Sequence, residues 1–222
     1  MIAVLVDGGS VGLRAVDWAA LEASARGVPL RVVHAIGHSL DASAVDGAST
    51  VVDAACARAR AVAADLRVIT DVQAGTSPLL CGLEELIVVG RRGLVRTGAD
   101  GPSAGRVVVG VDDRLTSPAA LGFAYRAARH RGLGLTVLQS VSRGDDVLRL
   151  LASAFPDVDV RRSCVPMPTG RALVDEAAGA ELVVVGTRGR RRAHHAVCCS
   201  FTNKLLRSAR GPMAIVPTLR AD

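Results

Sequence analysis

The residues best suited to chemistry gather in the second half of the chain. Asp112 and Asp113 follow an apolar run from Val107 to Val111, and Gly186-Thr-Arg-Gly189 follows a second one, Leu182 to Val185. Ser200 then opens a stretch of helical spacing that lasts to Ala209. Each type suits one part of a small anionic ligand carrying a polar ring. A carboxylate accepts from an exocyclic amine or a ribose hydroxyl. Glycines let backbone N–H groups approach an anion with no β-carbon in the way, and a helix N-terminus favours phosphate. Arg188 and the Arg190-Arg191-Arg192 run would add charge-assisted donors.

These residues need a scaffold, and a repeated phrase reveals it. Glu85-Leu-Ile-Val-Val-Gly-Arg-Arg-Gly93 returns as Glu181-Leu-Val-Val-Val-Gly-Thr-Arg-Gly189, each reading as a buried strand running into a glycine turn. A second shared block, an apolar strand ending in aspartate, precedes each: Ile2 to Asp7 and Val107 to Asp112. In the second half the spacing predicts strands at 107–111, 133–140, 158–164 (an edge), 182–185 and 213–216. Helices are expected from Ser117-Pro118 to Gly132, over 145–154, from Thr169 through Ala178, and over 200–209. Ala120, Phe123, Ala124, Ala127 and Ala128 form the i, i+3, i+4 stripe of a helix packed on a core.

The first half follows the same plan at an offset of 105, so that Asp7 matches Asp112, Trp18 matches Phe123 and Gly27 matches Gly132. Its predicted elements are strand 2–7, helix 11–26, strand 30–35, helix 49–64, strand 66–73 and strand 86–89. It then stops short. Only residues 94–105 separate Gly93 from the next strand, too few for another helix and strand, so they read as a linker. The expected fold class is therefore α/β: two tandem open parallel-sheet domains with helices on both faces, at 1–93 and 106–219, the first lacking its last helix and strand. Ligands in such sheets bind outside the carboxyl ends of strands, where the strand order reverses. Domain one keeps Asp7, Gly90 and Gly93 but nothing beyond to supply a helix N-terminus, so it reads as a pseudo-site. Its missing strand leaves a sheet edge needing cover from the linker, domain two or another chain.

Composition narrows the function. Half of the residues are apolar, yet there are only one Trp, one Tyr and three Phe, which favours helix-on-sheet cores and offers no stacking platform for single-stranded nucleic acid. Residues 1–100 carry 9 basic and 11 acidic side chains and residues 101–222 carry 18 and 10, so an anion should prefer the second half. No stretch approaches the ~20 apolar residues of a membrane helix, and five scattered cysteines without CxxC spacing fit a reducing compartment. A cytoplasmic protein is expected, with no membrane partner and with nucleic acid disfavoured.

Together these residues resemble the universal stress protein family in its tandem, Rossmann-like form. Val6-Asp7-Gly8-Gly9-Ser10 is similar to the family's strand-end "VDGS", and Arg31-Val-Val-His-Ala35 and Gly211-Pro-Met-Ala-Ile-Val216 extend the likeness over the whole chain. The family's ATP-binding members carry G-x2-G-x9-G-(S/T), matched here by Gly186, Gly189 and Ser200. Cys199 stands where the third glycine belongs, and Asp113 replaces the glycine after the aspartate. The resemblance implies ATP as ligand, with adenine contacts from Asp112 and the Ser140 backbone. Phosphate contacts would come from Gly186, Gly189, Ser200 and nearby N–H groups, with Arg188 close by. It also implies a stress-response regulator or adaptor with a protein partner that the sequence does not identify.

Other readings compete. A member that has lost nucleotide binding would serve as an interaction scaffold or a thiol-sensitive regulator, with Cys199, Asp113 and the truncated first domain as its evidence. His194, His195, Cys198 and Cys199 place two His-to-Cys pairs at i, i+4, but metal sites want ligands from separate elements, and no metal site is expected. No Ser/His/Asp ordering, carboxylate acid and base pair, or Gly-Lys-Ser/Thr loop appears, so an enzyme is not expected beyond a weak incidental ATPase. The apolar strand 213–216 suggests a homo-oligomer formed through it.

Overall fold

Continuous apolar runs make strands that are covered on both faces, and such runs open both halves of the chain. The fold is described from a computed structural model over residues 1–36, 42–74, 86–89, 103–111, 118–140, 145–165, 169–177, 179–188 and 212–218. It falls into two compact units, Met1–Gly93 and Leu94–Asp222.

Unit 1 runs β1 (Ile2–Val6), α1 (Ser10–Arg26), β2 (Leu30–Ile36), α2 (Ala42–Val62), β3 (Val68–Ala74) and β4 (Leu86–Val89). All four strands are parallel in the order β3-β2-β1-β4. Every residue of β1 and β4 is buried. On β3 the side chains alternate, and Asp71 takes Arg31 as ion-pair partner while accepting from Gln73 Nε2 at 2.7 Å. α2 begins seven residues before the position the sequence suggests. Its buried stripe of Val52, Ala55, Cys56 and Ala59 extends back to Ala48. Thr50 Oγ1 donates to Asp46 O at 3.0 Å, spending its hydroxyl inside the helix.

Unit 2 runs β5 (Arg106–Val111), α3 (Pro118–His130), β6 (Gly134–Ser140), α4 (Asp145–Ala154), β7 (Val160–Val165), α5 (Thr169–Ala177), β8 (Leu182–Arg188) and β9 (Met213–Thr218). Its parallel strands follow β7-β6-β5-β8-β9, the order of unit 1 with one strand added. Right-handed crossovers put α3 and α4 on one face and α5 on the other. α5 lies on the face of Gly110, where an added β-carbon would stand 3.1 Å from Leu173 Cδ2. The expected helix 200–209 lies outside the described residues.

The repeat persists in packing. Trp18 and Phe123 are both buried, and α1 and α3 are each followed by a glycine at φ +62°, Gly27 and Gly132. At the amino ends of the unit 2 strands, Ser103 is fully buried and its hydroxyl donates to the Glu176 carboxylate of α5, while Ala104 bridges Ala180. The last residues of the stretch read as linker are thus packed into unit 2. No helix among the described residues is long and apolar enough to cross a membrane.

Candidate functional site

In unit 2 the first and fourth strands, β5 and β8, are direct parallel neighbours, paired Val107↔Leu182, Val108↔Val183 and Val109↔Val184. Carried two residues on, that register sets Val111 level with Gly186. β6 adjoins β5 on the other side, with Val111 opposite Gln139 and Ser140 next along the strand. The carboxyl ends of three strands therefore bring Val111, Ser140 and Gly186 to one rim. The strand order reverses there, β6 lying to one side of β5 and β8 to the other, which is the setting in which open α/β sheets hold ligands.

β8 is longer than the glycine phrase suggests. Gly186, Thr187 and Arg188 stay in the strand, paired to Val216, Pro217 and Thr218 of β9, because the neighbouring strand runs on past Val216 and offers them partners. Gly186 is consequently a buried strand residue. Asp112, Asp113, Gly189, Cys199 and Ser200 lie outside the described residues, as does the cluster His194, His195, Cys198 and Cys199. Among the described residues no three His, Cys, Asp or Glu side chains gather as a metal-binding set.

Sequence reasoning passed over Gln139. This side chain donates from Nε2 to Cys164 Sγ at 3.3 Å, while its Oε1 is buried with no hydrogen-bond partner among the described residues. The repeat carries the signal that could have found it, since offset 105 sets Gln139 against His34.

The corresponding rim of unit 1 is built differently. Asp7 Oδ1 accepts from Gly9 N at 2.9 Å at the start of α1, a carboxylate employed on its own helix entrance. Gly8 takes φ +80°, and a β-carbon there would meet Val51 Cγ2 at 2.9 Å, so the turn excludes other residues on two counts. His34 Nδ1 lies 2.7 Å from Val6 O and donates to it, tying β2 to β1. Gly90 and Gly93 lie outside the described residues.

Burial shifts two proton-bearing groups upward. The Cys56 thiol is pushed up by desolvation, with Arg60 opposing and Asp53 adding to the shift. Desolvation also raises the Tyr125 phenol, against the attraction of Arg162. Among the described residues the Tyr125 hydroxyl has no hydrogen-bond partner, and its ring rests 5.6 Å from that of Phe155.

These features define an open parallel α/β protein whose strand order reverses between β6 and β8 on either side of β5. The chain matches the model of the universal stress protein family over residues 1–79 and 143–217, more than half of its length. It belongs to that family. Universal stress proteins of Mycobacterium tuberculosis and Mycobacterium bovis are each 24% identical to it, with 96% of this chain and 96% of theirs covered. A universal stress protein structure from Archaeoglobus fulgidus DSM 4304 shares the fold with a TM-score of 0.60 at 13% identity, covering 100% of this chain and 97% of that one.

Proposed function

We propose that the protein binds ATP or a related adenine nucleotide at the carboxyl end of the unit 2 sheet and acts by binding, as a cytoplasmic stress-response regulator or adaptor. Turnover is at most incidental. The observation that carries this reading is the β5–β8 pairing, which sets the residue before Asp112 level with Gly186. From those two strand ends a carboxylate and the glycine segment can reach one small molecule. Gly186, Gly189 and Ser200 keep the spacing of the family's phosphate motif, and the surplus of basic residues in 101–222 favours an anion there. ATP is the cofactor the residues fit, with Arg188 and the arginines after it as charge-assisted donors to phosphate. In unit 1 the rim groups Asp7 and His34 already have partners within the unit, which supports a structural role for that half.

Cys199 and Asp113 favour a second reading, a member that has lost its nucleotide and serves as an interaction scaffold. One experiment separates the two. Mass spectrometry of natively purified protein, followed by calorimetry with ATP, AMP and a cyclic nucleotide, should find an adenine nucleotide bound by the wild type. Wild type that binds none, beside a Cys199→Gly variant that binds ATP, would establish the scaffold instead.

A further inference from the structure

Val111 and Gln139 are cross-strand partners at the carboxyl ends of β5 and β6, as Val6 and His34 are 105 residues earlier in β1 and β2. The two positions share register but not chemistry. In unit 1 the imidazole closes on the strand, Nδ1 donating to Val6 O at 2.7 Å. In unit 2 the carboxamide turns toward β7, where Nε2 donates to Cys164 Sγ, and Oε1 is left buried without a partner. Folded proteins rarely leave a buried amide oxygen unpaired, because the hydrogen bonds it made to water in the unfolded chain are lost without replacement. Among the described residues this oxygen has no donor, and a ligand bound at the rim would supply one.

Resting on the nucleotide reading above, we propose that Gln139 is a specificity-determining residue that reads the ligand's base: its Oε1 accepts a hydrogen bond from an exocyclic amino group. The chemistry runs one way. A carboxamide oxygen only accepts, and the bond to Cys164 occupies the NH2 end of the same group. A 6-aminopurine offers the missing donor, whereas a 6-oxopurine presents another acceptor and leaves Oε1 facing like charge. Sites that hydrogen-bond a polar substituent reject analogues lacking it far more strongly than apolar pockets reject a missing methylene. His34 fills the same position in unit 1 with a ring whose Nδ1–H is committed to the strand.

The test compares ATP, GTP and purine riboside triphosphate, which has hydrogen in place of the 6-amino group, by calorimetry on the full chain. Gln139→Leu removes the acceptor, and Gln139→His installs the residue that unit 1 already accommodates, so at least one folded variant is available, checked by its melting transition. Wild type should bind ATP about tenfold or more tightly than purine riboside triphosphate. In either variant that ratio should fall to about threefold or less, through weaker ATP binding alone. A wild type that binds ATP while both variants keep its full ratio would overturn the role of Gln139 and leave the nucleotide reading standing. Preference of the wild type for GTP would also overturn it, since guanine carries an oxygen and no amino group at position 6. Failure of every purine nucleotide to bind wild type would sink the nucleotide reading, and this inference with it.

Discussion

The guanidinium of Arg106 occupies the space where a β-carbon on residue 134 would stand: built on Gly134, that atom would lie 2.4 Å from Arg106 Nη1 and 2.5 Å from Cζ. From this seat Arg106 donates to Thr136 Oγ1 at 3.0 Å, Leu135 O at 2.9 Å and Asp159 O at 2.8 Å, joining the starts of β5 and β6 to the residue before β7. Thr136 is fully buried, and while its Oγ1 accepts from Arg106 its own proton is directed to Ser103 Oγ, 3.3 Å away. Gly134→Ala should therefore expel the arginine and strand buried acceptors, lowering unfolding free energy by about 1–3 kcal/mol. Urea unfolding checks this, and Gly134→Ala in an Arg106→Met background should cost less than the two changes added separately. Simple additivity would mean that the cost of Gly134→Ala does not come from Arg106.

Much of this architecture was legible in the chain because its physical signals are local. The run Val107–Val111, the alanine-rich stripe of α3 and the phrase shared by residues 85–93 and 181–189 each name an element and its place in the repeat. Non-local contacts set what was missed. The start of α2 depends on Ala48 finding a core, and Gly186–Arg188 remain a strand because β9 offers partners as far as Thr218. Arg106 reads as a surface arginine until β6 places a glycine beneath it. Gln139 reads as a polar residue near a strand end, and only its pairing with Cys164 and Val111 gives it meaning.

Alkaline conditions should weaken the fold through two buried groups. Desolvation holds the Cys56 thiol and the Tyr125 phenol above their ordinary values of 9.0 and 10.0, so the folded chain keeps these protons after the unfolded chain has released them. The stabilisation from the bound protons is complete below the unfolded values and is lost as pH rises through the folded ones. Unfolding free energy should accordingly fall from about pH 9 upward, and Cys56→Ala with Tyr125→Phe should flatten that decline. An unchanged slope in the double variant would assign the loss to other groups.

The Tyr125 hydroxyl offers a separate measurement at neutral pH. The residue is fully buried, with no hydrogen-bond partner for its oxygen, while its ring packs beside Phe155, over which Arg129 also sits at 5.7 Å. Tyr125→Phe keeps the ring and removes the unpaired group, so it should be neutral or stabilising by up to about 1 kcal/mol. Destabilisation beyond about 1 kcal/mol in calorimetric melting would reveal a bridging water.

Thiol chemistry should separate Cys164 from Cys56. Cys164 is exposed on β7, the outer strand of its unit, whereas Cys56 is buried on α2 with its thiolate disfavoured. Because the thiolate is the nucleophile, a maleimide at pH 7.5 should label Cys164 at least about tenfold faster, read by peptide mass spectrometry. Equal rates would mean that α2 opens on the labelling timescale.

Gly8 and Asp113 occupy equivalent positions of the two halves, and their difference yields paired predictions. In unit 1 the position needs φ +80° and has no room for a β-carbon beside Val51. Gly8→Asp should cost at least about 1–3 kcal/mol, from left-handed backbone strain together with the clash. In unit 2 the side chain brings a negative charge to the segment that follows β5, where the proposed phosphates are expected. Asp113→Gly should then raise ATP affinity several-fold at low ionic strength, with the gain shrinking as salt is added, because screening removes repulsion between exposed charges first. Adenosine, which has no phosphate, should bind the variant and the wild type alike. An equal gain for adenosine and ATP would assign the effect of Asp113 to backbone shape, and no gain for either would separate this residue from the ligand altogether.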